Sequence, residues 1–258
     1  MKVVFLGTGT SQGVPVIACD CQVCQSTDPR DQRLRSSIWL EWEGRSLVVD
    51  TGPDFRQQML RQKVQRLDAV IYIYSHKDHI AGLDDIRAFN RKQGTPIDIY
   101  ADLPVHDALK REFFYAFHPQ AYFGVPQLNL IQIDQDRPFE VLGHEVIPLP
   151  VLHYKMPVLG FRFGDFTYIT DAKTISAETL QKIQGTKVLV LNALQQEPHI
   201  SHFTLVEAVE MAQKIGADKT YFTHIGHQMG LHEVVQSDLP DGIELAFDGL
   251  TLDLRAQK

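Results

Sequence analysis

Ligand-type side chains are concentrated in the segment 75–79, Ser-His-Lys-Asp-His, which directly follows an apolar run that ends at Tyr74. Imidazoles and a carboxylate at the spacing of His76, Asp78 and His79 can face one or two divalent cations when they lie on a loop after a strand. A solvated turn rich in histidine and aspartate would have the same sequence. Taken alone, the segment therefore leaves metal binding and a solvated turn open.

Three more residues of ligand type stand directly after predicted strands. They are His153, Asp171 and His224. Folds of the α/β class place their functional sites at the carboxyl ends of strands. A single histidine in such a position usually caps a strand or lies at the edge of the core. Three such residues, together with the segment 75–79, favour a metal centre.

The three cysteines of the chain, Cys19, Cys21 and Cys24, form a Cys-x-Cys-x-x-Cys pattern. An odd and closely spaced set is a poor disulfide framework, so we expect metal binding in a reducing compartment and predict a cytoplasmic protein. Three thiolates are one ligand short of a tetrahedral structural zinc site. The alternative is three free thiols.

Composition limits the kinds of partner. The chain has 258 residues and a formal net charge of −7, which argues against sequence-independent nucleic-acid binding. A small phosphorylated substrate stays compatible with this charge, because a bound metal supplies local positive charge. No apolar run reaches the roughly 18–20 residues that span a bilayer. The amino-terminal residues predict a first strand rather than a signal peptide, so we expect no membrane partner.

The hydrophobic pattern predicts β-rich segments first and strands mixed with helices later. Strands are predicted over 3–6, 37–41, 46–50, 69–73, 146–152, 160–163, 166–170, 187–191 and 220–223. Helices are predicted after Asp54, over 104–117, and from a capping box formed by Thr204 and Glu207. A two-sheet core covered by helices accommodates this pattern.

Several motifs together resemble the metallo-β-lactamase superfamily. The residues that carry the resemblance are His76-Lys77-Asp78-His79, Gly82-Leu83-Asp84-Asp85, Asp50-Thr51-Gly52, His153, Asp171 and His224. The segment 6–11, Leu-Gly-Thr-Gly-Thr-Ser, and the cysteine trio are similar to the PhnP-type phosphodiesterases of the carbon–phosphorus lyase pathway, a branch close to the tRNA 3′-processing nucleases. The resemblance covers nearly the whole chain. It implies a four-layer αβ/βα sandwich, a single domain over 1–258, and two metals in a groove between the sheet edges.

The resemblance also implies a ligand set for each metal, Zn²⁺ or Mn²⁺. Site 1 takes His76 and His153, site 2 takes Asp78, His79 and His224, and Asp171 bridges the two. Asp78 also counts among the catalytic residues. The chemistry implied is hydrolysis of phosphodiesters, including cyclic phosphates, by a metal-activated water.

Two further histidines gain a role from the same resemblance. His227 stands where the branch completes a Cys₃His zinc site with Cys19, Cys21 and Cys24. His202 matches a catalytic histidine that serves as acid or base, a task suited to a side chain with a reference pKa of about 6.5. The alternative is that the segment 199–202 only helps to open the next helix, which is how we interpret His199.

One position departs from the family pattern His-x-His-x-Asp-His, because Tyr74 replaces the first histidine. A phenol with a pKa of about 10 must lose its proton to bind a metal well. Tyr74 is either a ligand or a side chain that packs under the loop, and we favour the second interpretation. Site 1 is then one ligand short, and we expect it to bind metal more weakly than site 2.

Three functions remain open, and the first is favoured. The favoured function is a metal-dependent hydrolase of phosphodiester bonds in small phosphate esters. A tRNA 3′-processing endonuclease is the second, although the chain has no long insertion rich in lysine and arginine. A non-catalytic protein that binds a phosphorylated ligand is the third; Tyr74 supports it and His202 argues against it. The oligomeric state stays open, with a homodimer as one option.

Overall fold

The computed structural model describes residues 1–118 and 124–254. Its strands are β1 (Lys2–Gly7), β2 (Ser37–Trp42), β3 (Arg45–Val49), β4 (Ala69–Ile71), β5 (Ile97–Ala101), β6 (Leu128–Gln132), β7 (Phe139–Val141), β8 (His144–His153), β9 (Met156–Phe163), β10 (Phe166–Ile169), β11 (Thr174–Ile175), β12 (Val188–Asn192), β13 (Lys219–Thr223), β14 (Ile243–Leu245) and β15 (Thr251–Asp253). Its α-helices are α1 (Phe55–Arg61), α2 (Lys77–Ile80), α3 (Arg87–Gln93), α4 (Leu103–Glu112), α5 (Ala177–Ile183), α6 (Leu205–Ile215) and α7 (His232–Asp238). Within these two ranges, no helix has the length and apolar character needed to cross a membrane.

The strands form two mixed sheets. The first has the order β15-β1-β2-β3-β4-β5-β6, and the second has the order β11-β8-β9-β10-β12-β13-β14, with β7 paired to β8. Strands β3 to β6 run parallel in the first sheet, as do β10, β12, β13 and β14 in the second. Because parallel strands end at the same edge, the loops after β3, β4, β10 and β13 gather along one groove.

Alternation along each strand separates two cores. Leu47 and Val49 of β3 face the core between the sheets, which also contains Phe161 and Phe222 from the second sheet. Val48 faces the opposite side, where α1, α3 and α4 cover the first sheet. Helices α5 and α6 pack on the second sheet, so the layers run α-β-β-α as predicted. One domain over 1–258 stays a prediction, since 119–123 and 255–258 lie outside the described residues.

Helix termini confirm one local prediction and correct two others. Helix α6 begins with the predicted capping box, in which the Thr204 hydroxyl and the Glu207 carboxylate each accept the other residue's backbone amide. Asp54 precedes α1 without capping it, because its carboxylate accepts hydrogen bonds from Arg35. The predicted helix 104–117 is α4 followed by a 3₁₀ turn over Phe114–Ala116. Helix α4 begins one residue earlier than expected, at Leu103, and Asp102 caps it.

Candidate metal centre

The strand ends that the sequence singled out do meet, and they share an unusual backbone conformation. Asp50 after β3, Asp171 after β10 and His224 after β13 have φ values of 65°, 63° and 58°. Residues other than glycine rarely adopt this left-handed conformation, and they keep it only where surrounding contacts hold it in place. The turn at each strand end directs a ligand-type side chain into the groove.

The three donors of site 2 and the bridging carboxylate converge beneath the loop after β4. The donor atoms of Asp78, His79, Asp171 and His224 all lie within 4.8 Å of one another. His79 Nε2 is 3.2 Å from Asp78 Oδ2 and 3.4 Å from Asp171 Oδ2, and His224 Nε2 is 3.3 Å from Asp171 Oδ1. Gly52 permits this approach, since a Cβ there would lie 2.1 Å from the Asp78 carbonyl oxygen.

His79 is oriented by a residue to which the sequence analysis assigned no role. Its Nδ1 lies 2.6 Å from Asp50 Oδ2, and both side chains are buried. The pairing leaves Nε2 facing Asp78 and Asp171, and this buried nitrogen has no hydrogen-bond partner among the described residues. Metal-binding histidines characteristically donate the other ring N–H to a carboxylate in this way. The signal in the sequence is the Asp-Thr-Gly turn at the end of β3.

Electrostatics fit a divalent cation at these donors. Burial tends to raise the pKa of Asp171, but the imidazoles of His224 and His79 outweigh it and hold that pKa well below its usual range. Burial raises the pKa of Asp50, whereas His79 outweighs burial and lowers that of Asp78. The ionised carboxylates of Asp78 and Asp171 share this buried volume, an arrangement that needs positive charge. The lysines of these loops, Lys77 and Lys173, are paired with Glu112 and Glu207 instead.

Only some of the donors predicted for site 1 lie close together. The donor atoms of His153, Asp171 and His202 lie within 4.8 Å of one another, whereas His76 is exposed and stays outside this group. The His76 ring is 5.6 Å from that of His153. His153 Nδ1 donates to the Ser201 carbonyl oxygen at 3.1 Å, which fixes its orientation.

His202 occupies the centre of a histidine cluster beside Asp171. Its ring is 4.6 Å from the ring of His153 and stacks 4.8 Å from that of His224. Its Nδ1 is 4.0 Å from Asp171 Oδ1 and has no hydrogen-bond partner among the residues that the structure describes. Burial and the neighbouring His224 lower the pKa of His202 to about 3, so its imidazole is neutral at pH 7.

Tyr74 is buried beneath the cluster and keeps its phenolic proton. Only 5% of the residue is exposed, and its hydroxyl donates to Asp171 Oδ1 at 3.0 Å. Burial, together with the charges of Asp171 and Asp78, raises the pKa of the phenol far above its usual value. The residue therefore packs under the loop as a hydrogen-bond donor.

The cysteine trio and His227 form a second, separate cluster. The distances from His227 Nδ1 to the sulfur atoms of Cys19, Cys21 and Cys24 are 3.3, 3.4 and 3.5 Å. Four ligands placed tetrahedrally around zinc, with Zn–S of about 2.3 Å and Zn–N of about 2.0 Å, would be separated by about 3.6 Å. The backbone amide of Cys24 lowers the pKa of the Cys21 thiol to about 6, which favours a thiolate. The cluster fits a structural zinc ion.

We expect this cluster to retain about one zinc per chain after mild chelation, because closed thiolate sites release metal reluctantly. His227→Ala should lose that zinc, whereas His144→Ala, which changes an exposed histidine, should retain it. Elemental analysis of the three proteins measures the difference. A natural protein that loses all zinc and stays folded would contradict the assignment.

A cavity of about 540 Å³ lies beside Tyr74. It is bounded by Ser75, by the loops that follow β5 and β6, and by Met156 at the turn between β8 and β9. The lining combines apolar side chains with the carboxylates of Asp102 and Asp134. Cavities of roughly 300–1,000 Å³ suit small organic ligands.

Comparison of the sequence with known proteins identifies relatives. Residues 45–225 match the family described as "Beta-lactamase superfamily domain". The chain is 35% identical over 254 residues to the octanoyltransferase of Porphyromonas gingivalis, covering 97% of this chain and 51% of that protein. It is 34% identical over 115 residues to coenzyme PQQ synthesis protein B of Methylorubrum populi, covering 39% and 37% of the two chains. The chain thus spans about half the length of these relatives or less.

Solved structures share the whole fold. A diphosphatase from the PhnP family is 40% identical, with a TM-score of 0.92 over 98% of each chain. Zinc-bound PqqB from Methylobacterium extorquens is 21% identical, with a TM-score of 0.79 over 98% of this chain and 100% of that one. The short form of human tRNase Z is 17% identical, with a TM-score of 0.74 over 99% and 100%. At such low identities, the last two show the fold alone. Together the likenesses confirm the predicted sandwich.

Proposed function

The chain belongs to the metallo-β-lactamase superfamily, and we propose that it is a metal-dependent hydrolase that cleaves phosphodiester bonds of small phosphate esters, cyclic ones included. The observation that carries the proposal is the buried, unpartnered Nε2 of His79. Asp50 fixes its direction, and it faces Asp78 and Asp171. The similarity to a diphosphatase of the PhnP family supports chemistry at phosphorus.

The donors of site 2 set the class of cation. Asp78, His79, Asp171 and His224 would hold it, and their nitrogen and oxygen atoms suit Zn²⁺ or Mn²⁺. When bound, such a cation lowers the pKa of a water molecule and neutralises phosphate charge. Asp50 contributes by keeping the His79 ring in one tautomer and one orientation.

His202 is the residue placed to assist the leaving group. It lies beside Asp171, and its Nδ1 has no hydrogen-bond partner within the described part of the chain. A neutral imidazole can accept a proton from the attacking water at one nitrogen, and the imidazolium so formed can pass a proton to the departing oxygen. An alkoxide needs that help, since it leaves as a strong base.

A diphosphate bond is the second candidate for the scissile bond, because the 40% identical structure is described as a diphosphatase. Both reactions involve attack on phosphorus and differ in the leaving group. Phosphate, with a second pKa of about 6, departs without protonation far more readily than an alkoxide does. The dependence on His202 therefore separates the two reactions.

Substrate size separates the proposal from the tRNA 3′-processing alternative. The cavity beside Tyr74 has a volume of about 540 Å³, which suits a nucleotide-sized molecule, and the net charge of −7 opposes a polyanionic RNA.

The test offers the Mn²⁺-loaded protein a cyclic phosphate diester, an alkyl diester, a diphosphate ester and a precursor tRNA. We expect turnover of the small diesters. Cleavage of the tRNA alone would replace the proposal by the nuclease, and metal binding without turnover of any of the four would indicate a non-catalytic binder.

A further inference from the structure

Tyr74 fills the space in which site 1 would be assembled. Its ring centroid lies 4.5 Å from those of His76 and His79 and 5.7 Å from that of His153. The planes of His76 and His153 are inclined by 84°, an edge-to-face packing arrangement in which the rings contact each other. The rings of Tyr74, His76 and His153 thus form a packed cluster.

The carboxylate that would bridge two cations is already held by protein hydroxyls. Asp171 Oδ1 accepts a hydrogen bond from the Tyr74 hydroxyl at 3.0 Å, and Oδ2 accepts one from the Thr170 hydroxyl at 2.8 Å. The same two oxygens face His224 and His79 across 3.3 and 3.4 Å. Asp171 is therefore oriented toward site 2, with Tyr74 on its other side.

Other predicted ligands of site 1 either lie away from the site or are engaged by protein groups. His76 is exposed and outside the converging donors. One ring nitrogen of His153 is engaged in a hydrogen bond to the Ser201 carbonyl oxygen. His202 Nδ1 is 4.0 Å from Asp171 Oδ1, the oxygen that already accepts the hydrogen bond from the Tyr74 hydroxyl. Among the described residues, the donors left to a second cation are those of His153, Asp171 and His202, and the first two already share hydrogen bonds with protein groups.

From these contacts we propose that Tyr74 limits the catalytic centre to one divalent cation, at Asp78, His79, Asp171 and His224, and that His76 instead binds the phosphate group of the substrate. The His76 imidazole has a ring N–H available as a donor to a phosphate oxygen, whereas His153 already gives its ring N–H to the Ser201 carbonyl oxygen. His76 directly follows Ser75, which lines the cavity, and it supplies a hydrogen bond where a second cation would supply charge. This inference rests on the metal centre of the proposed function.

Counting bound Mn²⁺ by equilibrium dialysis and electron paramagnetic resonance tests the limit. Mn²⁺ prefers oxygen and nitrogen ligands to thiolates, so the count reports the catalytic centre and not the cysteine cluster. We expect about one Mn²⁺ per chain, with the spectrum of an isolated ion, for the natural protein and for Tyr74→Phe. Tyr74→His should bind about two, with the spectrum of an exchange-coupled pair. Two ions of similar affinity in the natural protein, unchanged by Tyr74→His, would overturn the proposal.

His76→Ala tests the second half of the proposal. We expect its KM for a small diester to rise about tenfold, as loss of one hydrogen bond to a charged group predicts, while the Mn²⁺ count stays unchanged. A lost ion would make His76 a ligand and overturn the proposal, as would an unchanged KM. The Mn²⁺ count needs no turnover, so a protein that binds one ion and hydrolyses nothing would refute the proposed function and leave the limit set by Tyr74 intact.

Discussion

Replacing Asp171 by asparagine is expected to lower the hydrolysis of a small phosphodiester by about 10³-fold or more. Asp171 contributes to both groups of converging donors, and the amide has the same shape without the charge. A catalytic cation contributes several kcal/mol of transition-state stabilisation, and each 1.36 kcal/mol corresponds to a factor of ten in rate. The measurement is kcat/KM at saturating Mn²⁺, together with the Mn²⁺ content of the variant.

The matched control is Asp218→Asn. Asp218 is exposed and precedes β13, at the end of the strand opposite His224. We expect this variant to retain natural activity and metal content. Circular dichroism and thermal unfolding establish that both variants are folded. A folded Asp171→Asn protein with natural activity would show that the converging donors are not the catalytic centre.

His202→Ala should lower kcat for an alkyl diester by about 10²–10⁴-fold, the usual contribution of general acid–base catalysis. The Mn²⁺ content should stay unchanged, because the four donors of site 2 do not include His202. On a diphosphate ester the loss should be smaller, since phosphate needs less protonation to depart. Parallel assays of both substrates measure this contrast.

His199→Ala is the control for this variant. The His199 ring lies 5.3 Å from that of His202, but its Nδ1 accepts a hydrogen bond from the Ser201 backbone amide and so holds the loop. We expect a loss of about threefold or less, because one neutral hydrogen bond contributes little. Loss of metal from His202→Ala, or full activity on the alkyl diester, would show that His202 is not the acid or base.

Much of the metal centre could be predicted from the sequence, because the ends of strands can be recognised where apolar runs stop. Apolar runs that stop at His153, Asp171 and His224 place those residues at one edge of the second sheet, and the structure brings them together. This argument from strand ends assigned no role to Asp50. Its contact with His79 spans 29 residues of sequence, and a pairing of that kind depends on how β3 and β4 lie side by side.

Details that depend on tertiary packing could not be predicted. The hydrogen bond from Tyr74 to Asp171 joins residues 97 positions apart, across the two sheets. Whether His76 or His202 approaches His153 is decided by rotamers and by the Ser201 carbonyl, neither of which has a sequence pattern. The cysteine trio indicated three ligands, and His227, more than 200 residues away, entered only through a family resemblance.

Reconstitution of activity by metal tests metal-dependent hydrolysis most directly. The protein is treated with a chelator, dialysed, and titrated with Mn²⁺ while hydrolysis of a chromogenic phosphodiester is followed. We expect negligible turnover before addition, and a rise that saturates with Mn²⁺ in the natural protein and stays near background in Asp171→Asn. Turnover that survives chelation, or that returns equally in Asp171→Asn, would contradict a metal-dependent hydrolase centred on this carboxylate.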